Sequence, residues 1–136
     1  MIAIVDSGPL YATVDADDDE HARCLEVLQR PDLQLVIPAL VVAEVTYLVG
    51  RRLGPEVEAR FLAGLATLEV EAPSGDDWLA IAALVKRHRD LPLGGTDASV
   101  GVIADRLGTD VIVTLDRRHF GSIRSGQGKA YRLLPN

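Results

Sequence analysis

The chain has 136 residues, 48% hydrophobic, 4% aromatic and 25% charged, with a formal net charge of −6. Residues 1–136 are expected to form one domain, long enough to bury a continuous aliphatic core without disulfide staples, and the single Cys24 has no partner for one. The acidic balance argues against loose, charge-driven binding to nucleic acid. It leaves a nuclease open, because bound cations change the local charge. No apolar run approaches the roughly 18 residues of a membrane span, and Ile2–Val5 is too short for a secretory signal. The expected location is the reducing cytoplasm.

Ile2–Val5 has strand character and is broken sharply by Asp6-Ser7-Gly8-Pro9, after which a short helix is expected through Leu10–Val14. Asp17-Asp18-Asp19-Glu20 then leads a helix on which Ala22, Leu25, Val27 and Leu28 face inward. Acids at a helix N-terminus complement its dipole, so this run reads as a solvated cap and not a metal cage. Cys24 falls on that helix as a small buried or half-buried residue, and Pro31 ends it. Leu33–Ile37 is a second strand. Pro38 opens a long helix to about Arg52, where its missing N–H costs little, and Gly54-Pro55 separates this from a helix over Glu56–Leu65. Leu68–Val70 is a third strand. Ser74 and Asp77 have capping-box spacing and open a helix carrying Trp78, Ile81, Ala82 and Val85 on one side, which fades into Lys86-Arg87-His88-Arg89-Asp90. After a loop at Leu91–Gly95, Thr96 and Asp97 start a helix with the apolar run Val100–Ala104, closed by Gly108. Val111–Leu115 is a strand ending at Asp116, Gly121–Gly128 a flexible connection, and Ala130–Leu134 a last short strand. Strands alternating with helices imply an α/β fold with a parallel sheet covered on both faces.

Four acids stand out against this frame. Asp6 and Asp116 each end an apolar strand, which in a parallel sheet puts both at the edge where open α/β sheets bind ligands. Asp97 lies at a helix start. Glu44 interrupts a helix that is apolar on every side (Leu40, Val41, Val42, Ala43, Val45, Leu48, Val49), so it is expected to be buried. No Lys or Arg stands three or four residues away to neutralise it, those positions being Val41, Leu40, Tyr47 and Leu48. Singly, each acid has a plainer use: a strand-end turn for Asp6 and Asp116, a cap for Asp97, a protonated hydrogen-bond donor for Glu44. Together they point to a divalent cation, because clustered carboxylates repel one another unless a cation compensates. All-oxygen donors suit Mg²⁺ or Mn²⁺ over zinc, and such an ion suits phosphodiester hydrolysis by metal-activated water.

Thr114 lies two residues before Asp116 on the same strand face, and Thr114, Ser7 and Thr96 are candidates to hydrogen-bond the carboxylates. Arg117 and Arg118 are candidates to meet substrate phosphate. Ser7 and Ser99 lack a recognisable base, and His21, His88 and His119 are scattered, so nothing supports covalent catalysis and His119 is not counted among the ligands. Lys86–Arg89 reads as a solvated helix end.

The run Met1–Leu10 containing Asp6-Ser-Gly-Pro, Glu44 within Pro38–Val49, Gly95-Thr-Asp97-Ala-Ser and Thr114-Leu-Asp116-Arg-Arg-His-Phe120 resemble PIN-domain endoribonucleases, and within them the VapC toxins of bacterial toxin–antitoxin pairs. The resemblance covers nearly the whole chain in order. It implies a three-layer α/β/α sandwich around a parallel sheet, with Asp6, Glu44, Asp97 and Asp116 binding Mg²⁺ or Mn²⁺ and Thr114 as the hydroxyl before the last acid. It further implies a homodimer, silencing by a VapB-type antitoxin, and a structured RNA substrate, a tRNA or an rRNA loop. Two enzymatic rivals use the same constellation, a carboxylate-metal phosphatase and a DNA nuclease. A non-catalytic PIN scaffold that binds RNA or antitoxin is a third alternative. A phosphoacceptor receiver domain is rejected: it needs an acceptor Asp after the third strand and a Lys after the fifth, where this chain has Pro73-Ser74 and Pro135-Asn136.

Overall fold

In a computed structural model describing residues 1–136, five short strands form one parallel sheet. They are β1 (Ile2–Val5), β2 (Gln34–Pro38), β3 (Glu69–Glu71), β4 (Val111–Val113) and β5 (Arg132–Leu134). Their order across the sheet is β3-β2-β1-β4-β5. The chain therefore builds outward from β1 through β2 and β3, then returns to the other side of β1 for β4 and β5. Seven α-helices connect them: α1 (Ser7–Val14), α2 (His21–Leu28), α3 (Ala39–Leu53), α4 (Pro55–Gly64), α5 (Gly75–Arg87), α6 (Gly95–Arg106) and α7 (Arg117–Ser122). No helix is long and apolar enough to cross a membrane.

Both faces of the sheet are covered, as the run of apolar strands requires. Ile4 registers with Val36 on one side and Ile112 on the other, and this row packs beneath α3 and α6 in the larger core, with Val41, Val45, Val49, Val100 and Ile103. Ala3, Val111 and Val113 face the opposite way and pack with Val27 of α2 and Leu33. Cys24 is free and buried on that helix. Local signals explain the element ends. The Ser74–Asp77 capping box forms as its spacing predicts. Pro55 occupies the first turn of α4 after Gly54, whose φ of +90° lies where only glycine rests easily.

Several boundaries and faces differ from expectation. The first helix starts at Ser7, not Leu10, because Gly8 and Pro9 fit in its first turn, where Pro9 forgoes an N–H that has no partner. On α5 only Ile81 of the predicted inward face is buried; Val85 is half-buried, and Trp78 and Ala82 are exposed. Residues 117–122 form α7, and the segment beyond is tied down by Ser125 accepting and donating across a turn with Lys129 and by Gly126 N–H donating to Asp105 (2.8 Å). The flexible connection expected over Gly121–Gly128 is thus partly helix and partly a pinned turn. Strand β4 stops at Val113, which frees Thr114 and Leu115 from side-by-side pairing with β1 and leaves Leu115 exposed.

Candidate metal centre

Strands β1 and β4 are neighbours, yet the chain leaves them in opposite directions, and the crevice beyond such a switch point is where open α/β sheets hold ligands. A cleft of about 480 Å³ opens there, lined by Asp6, Ser7, Gly8, Glu44, Asp97, Leu115 and Asp116. All four candidate acids line it, and no Lys, Arg or His does.

Asp6 extends the β1–β4 ladder by one bond, its N–H donating to Val113 (2.9 Å). It occupies the N-cap position of α1 without capping that helix. Its carboxylate instead turns to the buried Thr114 hydroxyl, which donates to Oδ2 at 2.7 Å. The same hydroxyl accepts from the Asp116 N–H at 2.9 Å, so one threonine links the two strand-end acids. Burial pushes the Asp6 carboxyl up from 3.8 to about 6; the Thr114 and Ser7 hydrogen bonds oppose this, while the charges of Asp97 and Glu44 add to it.

Asp97 stands in the first turn of α6, half-buried. Desolvation raises its pKa, His119 pulls it back, and the neighbouring charges of Asp116 and Glu44 raise it further. Asp116 caps α7, its Oδ1 accepting from the His119 N–H at 2.9 Å. Burial works against its ionisation, but hydrogen bonds from the backbone and ring of His119, and the nearby charge of Arg118, hold its carboxyl below the usual range.

Glu44 departs from expectation. It is exposed on α3, as are Ala43 and Tyr47, because Val41, Val45 and Val49 point into the core and Val42 and Leu48 pack half-buried at its edge. Helical geometry buries one side of a helix at a sheet surface even when its sequence is apolar all round. Glu44 thus reaches the cleft from its rim, where its Oε2 accepts from the Ser7 hydroxyl at 2.9 Å.

The other candidates divide. Ser7 and Thr114 contact carboxylates as anticipated for such hydroxyls. Thr96 takes part only through its carbonyl, which accepts from Ser99 at 2.6 Å. Arg117 is committed to the Pro135 carbonyl at the C-terminal edge, whereas Arg118 stays exposed beside Asp116. Sequence reasoning set His119 aside as one of three scattered histidines. Its ring Nδ1 contacts Asp116 Oδ2 and lies 3.8 Å from Asp97 Oδ2, and its Nε2 is 2.9 Å from the Leu91 carbonyl. Its hydrogen bond with Asp116 raises its pKa. The available signal was its place three residues after an N-cap Asp, where a helix brings side chains together.

The donor chemistry fits a hard divalent cation. Asp97, Asp116 and His119 each present a ligand atom within 4.8 Å of one another. Asp6 and Glu44 bring oxygen donors to the same cleft, where burial first and neighbouring acids after it raise the Asp6 and Asp97 carboxyls.

The sequence profile described as the PIN domain matches residues 3–124. Ribonuclease VapC26 of Mycobacterium tuberculosis is 35% identical over 134 residues, covering 97% of this chain and 99% of that protein. Among solved structures, M. tuberculosis VapC20, described as a Sarcin-Ricin loop cleaving toxin, superposes with a TM-score of 0.75 at 19% identity, over 81% of this chain and 86% of that one. VapBC2 from Rickettsia felis, bound to a DNA fragment from its promoter, gives 0.71 at 18% identity over 98% of each chain.

Proposed function

This chain belongs to the PIN-domain family, among its VapC-type members, and we propose that it is a divalent-metal-dependent endoribonuclease toxin. The observation that carries the reading is the cleft at the β1–β4 switch point, walled by four carboxylates and no basic side chain. The ribonuclease name of its 35%-identical relative supports the same activity.

In this reading Asp6, Glu44, Asp97 and Asp116 hold Mg²⁺ or Mn²⁺. When bound, such an ion supplies Lewis-acid polarisation of a phosphodiester and a water of lowered pKa. The chain's own residues do the rest. Thr114 fixes the Asp6 carboxylate while its oxygen restrains the Asp116 backbone. Ser7 tethers Glu44. Arg118, exposed and without an acid partner in a salt bridge, is available to a substrate phosphate, and Leu115 offers the cleft's one apolar wall to a ribose or base. The substrate is a structured RNA, a tRNA or an rRNA loop, the latter being the target described for VapC20.

The whole of residues 1–136 acts as one cytoplasmic domain, held in check by a VapB-type antitoxin and paired as a homodimer. Exposed Tyr47 (62%) and Trp78 (50%) are of the aromatic type enriched at protein interfaces. The test is cleavage of total cellular RNA by purified protein with Mg²⁺, Mn²⁺ or EDTA, beside Asp97→Ala. Discrete fragments that need metal and vanish in the variant are expected. Cleavage that survives EDTA or the variant overturns the reading, and comparable hydrolysis of DNA or small phosphomonoesters replaces it with the enzymatic rivals.

A further inference from the structure

His119 does not line the cleft, yet it contacts two of the acids that do and a loop carbonyl behind them. Its backbone N–H holds Asp116 Oδ1 at 2.9 Å while its ring Nδ1 meets Oδ2, so a single residue grips both oxygens of one carboxylate. The same Nδ1 stands 3.8 Å from Asp97 Oδ2. On the far side of the ring, Nε2 is 2.9 Å from the carbonyl of Leu91, in the loop that leads into α6 and so to Asp97. The Leu91 carbonyl can only accept, so Nε2 donates to it.

We infer that His119 is a positioning residue: it fixes the spacing of Asp97 and Asp116 by clamping the Asp116 carboxylate to the Leu91 loop. The inference rests on the metal-site reading given above. It differs from making His119 a ligand, because both ring nitrogens are engaged and ligation would require one of them to abandon its partner. The connection also accounts for a geometric need. Asp97 and Asp116 begin two different helices, α6 and α7, and the direct polar link between those two helix starts runs through this ring. An outer partner that orients a carboxylate in this way typically changes metal affinity by about 10–100-fold when removed.

The two contacts are separable. Asn carries its amide nitrogen near the place of Nδ1, and Gln carries its own near the place of Nε2. Calorimetric titration with Mn²⁺ is therefore made on the wild type, His119→Asn, His119→Gln and His119→Ala, each with its thermal midpoint. A clamp from Asp116 to the Leu91 loop needs both ends, so all three variants are predicted to bind Mn²⁺ about 10–100-fold more weakly, and wild-type affinity in either His119→Asn or His119→Gln overturns it. Unchanged affinity in all three variants, with lowered midpoints, overturns the inference in favour of a purely structural histidine. Electron spin-echo spectra of the wild-type Mn²⁺ complex separate the remaining case: absence of imidazole-nitrogen modulation supports positioning, and its presence makes His119 a ligand and overturns the inference. Failure of the wild type itself to bind Mn²⁺ overturns the metal reading, and the inference with it; failure confined to the variants' predicted pattern overturns the inference alone.

Discussion

Helix α6 carries an acid-rich cluster at each end, and the two are built on opposite principles. At its C-terminal end, Arg106 reaches back with Nε to Asp77 (2.8 Å), Nη1 to Glu71 (3.0 Å) and Nη2 to the Ala72 carbonyl (3.1 Å). Asp77 also accepts from the Ser74 N–H at 2.9 Å, and despite burial its carboxyl lies below the usual range. At the N-terminal end, Asp97 faces Asp6, Glu44 and Asp116 across a cleft that no Lys or Arg lines, and both Asp97 and Asp6 are pushed up. Where the chain supplies the cation, the acids hold two segments together. At the other end the one basic partner is the His119 ring beside Asp97 and Asp116, while Asp6 and Glu44 have none, and that imbalance is what the proposed metal site rests on. A carboxylate's use is thus legible from whether its charge is matched, not from its burial alone.

The comparison is broken most easily at Asp97. Asp97→Asn is expected to lower RNA cleavage on the order of 10³-fold, the scale of losing an electrostatic stabiliser of a reaction centre. The thermal midpoint without metal is expected to stay level or rise. Saturating Mn²⁺ at about 100 times its Kd is expected to stabilise the wild type by roughly 2.7 kcal/mol and the variant by clearly less. A variant that melts early without metal would move Asp97 into the same structural class as Asp77.

Asp6 sharpens the contrast through pH. Its carboxyl titrates at about 6 in the folded protein against 3.8 when unfolded, so the folded state binds more protons between those values. The resulting stability is present below about pH 4 and lost as pH rises through 6, on the order of 3 kcal/mol for this one group. Asp6→Asn keeps an acceptor for Thr114 and cannot ionise. The metal-free stability of the variant relative to wild type is therefore expected to climb between pH 4 and 6 and then level off. Taking the difference cancels Asp116 and His119, whose shifts act in the opposite sense or in another pH range. A difference that stays flat across that window refutes the strained-carboxylate account.

At the other end of α6, Arg106→Ala leaves Asp77 and Glu71 without their cation. The expected cost is about 1–3 kcal/mol, the scale of a lost charge-assisted network, read as a fall of several degrees in thermal midpoint. Cleavage per folded molecule and Mn²⁺ affinity are expected to stay unchanged. Loss of metal binding here would show that the two clusters are coupled through the helix.

The N-terminal cluster was far more legible in the sequence than the C-terminal one. Asp6 and Asp116 end apolar runs, so strand character and parallel pairing suffice to bring them to one edge. The Arg106 clamp joins residues 29 and 35 positions apart, and nothing local marks them as partners. His119 was hidden for another reason: α7 is only six residues long and has too few turns for its periodicity to show. Glu44 lines the cleft with the other acids, although the burial expected of it is absent. An apolar sequence all round α3 suggested burial, but Ala43, Glu44 and Tyr47 lie on its open side.

An exposed carboxylate keeps its rotamer freedom, so Glu44 owes its direction into the cleft to one restraint, the Ser7 hydroxyl at 2.9 Å. Ser7 itself is fixed at the first position of α1, next to Asp6, so the hydrogen bond ties the rim acid to the buried one through two adjacent residues. A single solvent-accessible hydrogen bond is worth about 0.5–1.5 kcal/mol, which sets a loss of roughly two- to tenfold in cleavage for Ser7→Ala, with a fall in thermal midpoint of a few degrees at most. Glu44→Gln, which removes the charge and not merely its aim, is expected to lose more. Equal losses in the two variants would mean that Glu44 acts only in the tethered orientation. No loss in Ser7→Ala would mean that a cation draws Glu44 inward without help, and that the rim acid, unlike Asp97 and Asp116, needs no positioning partner.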